Sequence, residues 1–283
     1  MKRKKRKNNK TAKTEIEKIV DNMCLFDDEL MSRVFDDNVP AAKLIIETLL
    51  EKNVEIKTCK GQVQLKNPLV NGRNIILDIL ASEKNGEMFN CEVQRRKRGA
   101  DPRRARFHSS MMDTRMLRSR QDFRKLKDSY MIFITKGDYF RKNRAVYRIE
   151  RKIDGAEDFN DGSHIIYVNG KYRGDDKAGR LMEDFGNRRT SGFNNPELEK
   201  SVRYFKEEEG REEMCEAVER YATKQYKIGI KRGIERGIER GIEQGIEQGI
   251  EQKTLQVYQN CINRGMSEED ARAIAGMEPA KAD

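Results

Sequence analysis

Three polar side chains stand where the sequence otherwise favours buried strands. Asp78 is flanked by apolar residues at 75–77 and 79–80, and Glu92 and Gln94 follow in a second strand-like run, with the spacing D-x13-E-x-Q. Carboxylate and amide oxygens suit Mg²⁺ or Mn²⁺. Hydrolysis of a phosphodiester needs an ion that polarises the phosphate and lowers the pKa of an attacking water. The pattern predicts metal ligands at Asp78 and Glu92, with Gln94 orienting the water or the phosphate; an exposed strand end is the alternative for each residue taken alone.

A β-hairpin is the element that would bring these residues together. Asn85-Gly86 is a strong tight-turn signal between the two apolar runs. Strand side chains alternate between faces, so Glu92 and Gln94 point the same way. If the strands pair across this turn, Asp78 lies near the Glu92 end of the second strand. We therefore expect the two carboxylates and the amide to converge on one patch.

Basic residues follow the hairpin directly, and the whole chain carries a formal net charge of +10. A basic balance favours polyanions, above all nucleic acid. Phosphate contacts come mostly from Arg and Lys and fix register without reading sequence. A solvated loop is the alternative for such a run. Its position beside the acidic pair favours DNA binding, which we assign to Arg95, Arg96, Arg98, Arg103, Arg104 and Arg106.

The order of predicted elements indicates an α/β fold. A helix at Asp28 to Val34 and one from Pro40 to about Glu51 come first, followed by weak strands and the hairpin. Asp101-Pro102 then reads as an N-cap and a first helical residue. The continuous apolar run Tyr130 to Thr135 suits a strand buried on both faces, and two more strands follow it. Helices packed on a small mixed sheet accommodate this order.

Five segments are predicted along the 283 residues: a basic disordered arm (1–13), a core (14–177), a helical extension (178–228), a GIEx helical repeat linker (229–252) and a small helical hairpin (253–283). The four-residue repeat places isoleucines in a row that drifts slowly around a helix. Each glycine costs about 0.8–1 kcal/mol relative to alanine. A semi-flexible linker is one interpretation; close helix–helix contact, giving a homo-oligomer through the C-terminal helices, is the other.

The cysteine and hydropathy patterns bear on zinc binding, cellular compartment and membrane insertion. The five cysteines are scattered and form no CxxC or Cys/His cluster, so we predict no zinc site. Their odd number and the lack of a recognisable secretory signal favour a reducing cytoplasm. No stretch approaches the ~20 apolar residues of a membrane span.

The segments that carry the candidate chemistry resemble the PD-(D/E)XK nuclease family transposases, also called recombination-promoting nucleases. The resemblance covers about residues 24–215. It rests on DELMSRVF at Asp28–Phe35, on ILDI around Asp78 and CEVQ around Glu92 and Gln94, on the helix start Arg104–His108, and on the buried strand Tyr130–Thr135.

This resemblance implies a restriction-endonuclease-like mixed sheet flanked by helices, here with a helical C-terminal extension, that cuts DNA with Mg²⁺. Asp78 and Glu92 would be the metal ligands, and Gln94 would stand where the superfamily usually has a lysine. An amide cannot offset developing negative charge as an ammonium can. An acid from an early helix often completes such sites; Glu47 is our tentative candidate and Asp28 the other.

The expected activity is therefore that of a DNA endonuclease that promotes recombination or is linked to mobile elements. The glutamine at position 94 keeps an alternative open. In that alternative the chain is a non-catalytic DNA-binding or assembly protein with a degenerate nuclease core.

Overall fold

The helices frame one sheet. The computed structural model describes residues 15–277, so the predicted basic arm at 1–13 lies outside the described residues. The described part of the first helix, α1, covers residues 15–21. The later helices are α2 (Asp28–Phe35), α3 (Val39–Leu50), α4 (Pro102–Met116), α5 (Lys177–Gly186), α6 (Pro196–Glu207), α7 (Gly210–Asn263) and α8 (Glu268–Ala275).

The main sheet has six strands in the order β1-β2-β3-β4-β8-β5. Its centre, β3-β4-β8, is parallel, whereas β1, β2 and β5 join antiparallel at the sides. This mixed sheet confirms the predicted fold class. The strands are β1 (Ile56–Leu65), β2 (Ile75–Glu83), β3 (Met88–Gln94), β4 (Ser129–Thr135), β5 (Val146–Ile149) and β8 (Ser163–Asn169), with a separate ribbon of β6 (Lys152–Ile153) and β7 (Glu157–Asp158).

The two faces of the sheet carry different helices. One face packs the side chains of Phe89, Cys91 and Ile132 into a core with α2, α3, α5 and α6. The other face, which includes Phe133, packs against the start of α4 at Ala105. Every residue of β4 is buried, as expected for a strand covered on both sides. Glu92 is the register partner of Phe133, so it points toward α4.

The predicted hairpin is confirmed. β2 and β3 pair antiparallel from Ile79–Cys91 to Ser82–Met88. Gly86 adopts φ +96°, a conformation that L side chains rarely adopt, and its N–H donates to Glu83 O at 3.1 Å. The local turn chemistry therefore sets the register that places Asp78 opposite the Glu92 end of β3.

The predicted start of α4 is also confirmed. Asp101 Oδ1 accepts a hydrogen bond from the Arg103 N–H at 2.8 Å, and Pro102 occupies the first helical position. This cap fixes where the helix begins. It therefore fixes which side chains of the first two turns reach the sheet.

The helices that follow the sheet divide between its core and a second unit. Helices α5 and α6 bury Phe185 and Leu198 in the same core as the sheet, and Met214 at the start of α7 joins them. The first compact unit accordingly extends to Glu219, and residues from Arg220 form a second unit. The repeat lies inside α7, a continuous helix of 54 residues, because nothing in a GIEx unit stops a helix.

The described residues also bear on the predictions about membrane spans and cysteines. Within residues 15–277 no helix combines the length and the apolar character needed to cross a membrane. The cysteines Cys24, Cys59, Cys91, Cys215 and Cys261 are all free thiols.

Candidate metal and DNA site

Asp78 and Glu92 meet where β2 and β3 stop pairing. The last paired residues are Ile79 and Cys91. Just beyond them, Glu92 Oε1 accepts a hydrogen bond from the Asp78 N–H at 3.1 Å, and Asp78 Oδ2 accepts one from the Val93 N–H at 3.0 Å. The two carboxylates thus take the place of backbone carbonyls as acceptors, and each is hydrogen-bonded to the opposite strand. The predicted convergence of Asp78 and Glu92 is confirmed.

Glu92 is fully buried, and both its oxygens have donors. Oε1 also accepts from Asn90 Nδ2 at 3.3 Å, and Oε2 accepts from Arg104 Nη2 at 2.9 Å. His108 Nδ1 lies 3.7 Å from Oε1, which is beyond hydrogen-bond length. A buried carboxylate is tolerated only when it is paired and hydrogen-bonded, and Arg104 supplies the charge here.

Arg104 is held by three contacts on α4 and the preceding turn. Besides Glu92, its Nη1 donates to Gly99 O at 3.0 Å and its Nε donates to His108 Nε2 at 3.3 Å. The side chain is 35% exposed, so part of it is accessible to solvent. His108 Nδ1 and Asn90 Oδ1 are buried beside this pair and have no hydrogen-bond partner among the described residues.

The acidic charge of the cluster exceeds what Arg104 can balance. Burial raises the pKa of Asp78 to about 8, and repulsion from Glu92 and Asp28 adds to the rise. Burial also raises the pKa of Asp28, with repulsion from Asp27 as the next cause and from Glu92 as a smaller one. Three acids therefore share one electrostatic environment, in which a cation would be stabilised.

Gln94 lies close to Gly99, on the turn between β3 and α4. A Cβ atom added at Gly99 would stand 1.8 Å from Gln94 Oε1, so the amide lies directly over this glycine. Gln94 is half-buried, and no hydrogen bond between described residues joins its side chain to Asp78 or Glu92. The strand places Gln94 on the Glu92 side, as predicted, with its amide directed toward the turn.

The basic residues behave in two ways. Arg104 points inward, whereas the others predicted to bind DNA are exposed along the turn and on the first turns of α4: Arg95, Arg96, Arg98, Arg103 and Arg106. Arg95 Nη1 pairs with Asp27 Oδ1 at 2.7 Å. Lys97 Nζ lies 4.9 Å from the centre of the Tyr139 ring. An exposed basic surface therefore adjoins the acidic cluster.

The tentative acid Glu47 is placed elsewhere. Its Oε1 accepts a hydrogen bond from the Val54 N–H at 3.0 Å, and the residue lines a cleft of about 770 Å³ with Lys52 and Arg148. Asp28, the other candidate, is the helix acid that interacts with Asp78 and Glu92. The reason is positional: Asp28 begins α2 next to the open end of the hairpin, whereas Glu47 lies in the last turns of α3.

The donor set suits a divalent cation, but the arrangement does not yet form a complete metal site. Asp28, Asp78 and Glu92 offer only oxygen donors, as Mg²⁺ and Mn²⁺ prefer. In the described part of the chain, however, no group of three or more His, Cys, Asp or Glu side chains is placed to hold one ion. Arg104 occupies one oxygen of Glu92. The buried, unpartnered Asn90 Oδ1 nearby is a further oxygen that such a cation would satisfy.

Two residues beside Glu92 were not predicted as site residues. Asn90 carried a usable signal, because it lies two residues before Glu92 and strand alternation puts both on one face. His108 lies in the second turn of α4. It is buried, and its position one turn after Arg104 also brings it to Glu92.

Comparison with known proteins identifies the class. The six-stranded mixed sheet, its flanking helices and the long C-terminal helix are those of a restriction-endonuclease-like α/β fold. The family model of the PD-(D/E)XK nuclease family transposases matches residues 40–172, somewhat less than half of the chain. The match includes Asp78, Glu92, Gln94 and Arg104 but ends before α5 and begins after Asp28. No curated protein and no solved structure shows a significant match.

Proposed function

We propose that the protein is a Mg²⁺-dependent DNA endonuclease that hydrolyses phosphodiester bonds and acts in DNA recombination or with mobile elements. The family match supports a nuclease- or transposase-related function. The observation that carries the finer proposal is the pairing of the half-buried Asp78 with the fully buried Glu92, which are hydrogen-bonded across the end of a hairpin beside an exposed basic surface. Mn²⁺ is the alternative cation for the same oxygen donors.

Each site residue has a proposed role. Asp78 and Glu92 would hold the ion, and Asp28 is the proposed helix acid in place of Glu47. The ion, when bound, polarises the phosphate and lowers the pKa of a coordinated water. Gln94 would orient that water or the phosphate through its amide. The exposed arginines, with Arg95 and Arg103 as examples, would bind phosphates of the DNA backbone.

A cleavage assay tests this proposal. Purified protein with Mg²⁺ should nick or cut plasmid DNA, and Asp78→Asn and Glu92→Gln should each abolish cutting while the folded structure is retained. Asp122→Asn is the matched control, because Asp122 is an exposed acid outside the cluster that pairs with Arg124. Cutting that survives both cluster substitutions would refute the site assignment.

The second candidate is a non-catalytic DNA-binding or assembly protein with a degenerate nuclease core. It is favoured by Gln94 in place of a lysine and by Arg104 on the oxygen of Glu92 that an ion would need. Calorimetric titration with Mn²⁺ in the presence of a short DNA duplex separates the two. A degenerate core should show no binding that depends on Asp78 and Glu92, whereas DNA binding should still fall with added salt.

Self-association and cellular location are the remaining parts of the proposal. In α7 the isoleucines of the repeat are 45–64% exposed, from Ile230 to Ile250, and a methyl group at any glycine from Gly229 to Gly249 would meet open space. These features support contact with a second copy. Deleting residues 229–252 should reduce the number of chains per particle measured in solution. An unchanged number of chains would exclude the repeat as the contact. The free cysteines support a reducing cytoplasm as the place of action.

A further inference from the structure

Arg104 links the acidic cluster to the exposed basic surface. Its Nη2 donates to Glu92 Oε2 at 2.9 Å, yet its side chain is 35% exposed whereas Glu92 is fully buried. A guanidinium has five N–H donors. Three of the contacts of Arg104 are internal, to Glu92, Gly99 and His108, so donors remain on the solvent side. One side chain can therefore contact both the metal-binding acid and an incoming phosphate.

Glu92 has no free oxygen in this arrangement. Oε1 accepts from the Asp78 N–H and from Asn90, and Oε2 accepts from Arg104. The bonds to Oε1 come from a backbone N–H of β2, which the sheet holds in place, and from the fully buried side chain of Asn90. The bond to Oε2 comes from a long side chain on a helix surface. Arg104 is therefore the partner that can leave.

We propose that Arg104 makes metal binding depend on DNA binding. Without DNA, its guanidinium occupies Glu92 Oε2 and its positive charge opposes a cation. When a DNA phosphate reaches the basic surface, Arg104 turns to the phosphate, with which it can form a bidentate pair, and Glu92 Oε2 becomes available. This explains why no complete metal site is formed in the described residues although the donor types are suitable.

The proposal rests on the metal-dependent function proposed above and adds a coupling between two ligands. Such a coupling is reciprocal, so Mn²⁺ should raise the affinity for DNA by the same factor as DNA raises the affinity for Mn²⁺. It also gives the buried His108 a role. When Arg104 leaves, His108 Nε2 loses the donor at 3.3 Å, and the imidazole becomes free to reorient toward Glu92. Arg104 is thus a positioning residue that acts through Glu92.

Arg104→Gln tests the coupling without relying on cleavage. Mn²⁺ binding is measured by electron paramagnetic resonance with the full chain, alone and with a short DNA duplex, and the binding of Mn²⁺ to the duplex alone is subtracted. In the wild-type protein, DNA should raise the Mn²⁺ affinity roughly tenfold. In Arg104→Gln the free protein should already bind Mn²⁺ more tightly, and the added effect of DNA should be lost.

Two further variants make the result specific. Arg103→Gln is the matched control, because Arg103 is exposed one residue earlier and does not contact Glu92; it should keep the coupling while the salt dependence of DNA binding falls by about 0.9 in slope. Arg104→Lys keeps the charge and should keep part of the coupling, which serves if the glutamine variant fails to fold.

The outcomes separate the inference from the proposed function. Equal Mn²⁺ affinity of the wild-type protein with and without DNA would overturn the inference and leave a metal-dependent nuclease intact. Weaker Mn²⁺ binding by free Arg104→Gln would overturn it as well, because Arg104 would then support the ion rather than oppose it. Absence of Mn²⁺ binding by the wild-type protein in both states would overturn the proposed function and the inference with it.

Discussion

Replacing Asp78 with asparagine should stabilise the protein at neutral pH although it removes a proposed metal ligand. Burial and the neighbouring acids raise the pKa of Asp78 to about 8 in the folded chain. The ordinary pKa of an aspartate is about 3.9, and each unit of difference corresponds to about 1.4 kcal/mol. About three units separate the ordinary pKa from pH 7, so keeping Asp78 protonated in the folded chain costs at most about 4 kcal/mol there. Asparagine cannot ionise and still accepts from the Val93 N–H.

The sign of the pH dependence follows from the raised pKa. Between about pH 4 and pH 8 the folded chain retains a proton that the unfolded chain has released. The wild-type protein should therefore lose stability as pH rises through this window and level off above about pH 8. The Asp78→Asn variant should lack this contribution to the slope, so its advantage should grow with pH.

Urea unfolding followed by circular dichroism, with EDTA present, measures this difference at pH 5, 6, 7 and 8. Asp122→Asn is the control, because hydrogen bonds from Arg124 lower the pKa of the Asp122 carboxyl and so move its titration below this window. A stability–pH slope for Asp78→Asn equal to that of the wild-type protein would refute the reasoning. So would a less stable variant at pH 8.

Two other substitutions test packing around the site and the core. Gly99→Ala should slow DNA cleavage roughly tenfold with little loss of stability, because its Cβ must displace the Gln94 amide, whereas Gly137→Ala, which meets no atom within 4 Å, should cut normally. Equal rates for the two variants would argue against a role for Gln94. Lys206→Met should lower the unfolding free energy by about 2–4 kcal/mol, because the buried ammonium of Lys206 donates to two backbone carbonyls. Lys200→Met, at an exposed lysine, is the control and should cost little. Equal midpoints of urea unfolding for the two variants would contradict this prediction.

Local signals accounted for much of the fold and for the central pair of the site. The turn at Asn85-Gly86 and the alternation along β3 set the register, and the register alone brings Asp78 to Glu92. The cap at Asp101 likewise fixes the start of α4. Such features depend on neighbours in sequence, which is why reading the chain residue by residue recovers them.

Features that depend on how helices pack on the sheet could not be predicted from local sequence. Helical periodicity predicts which face of α3 is apolar. It does not predict that Glu47 lines a cleft or that Asp28 lies near the hairpin. Arg104 was predicted to bind DNA, yet it bonds to Glu92, which joins two elements whose contact is set by packing. The repeat was predicted to be helical, but its glycines, each of which disfavours a helix by about 1 kcal/mol, gave no sign that the helix continues unbroken from Gly210 to Asn263.

The crossed hydrogen bonds at the open end of the hairpin involve one backbone amide each. The carboxylate of Glu92 accepts from the Asp78 N–H, and the carboxylate of Asp78 accepts from the Val93 N–H. Glu92 can keep its Oε1 bond to the Asp78 N–H when its Oε2 is freed, whereas an Asp78 carboxylate that turned to an ion would release the Val93 N–H. If Asp78 holds an ion as proposed, we expect the Val93 amide proton to exchange faster when the ion is added, with the Asp78 amide proton as the reference in the same protein.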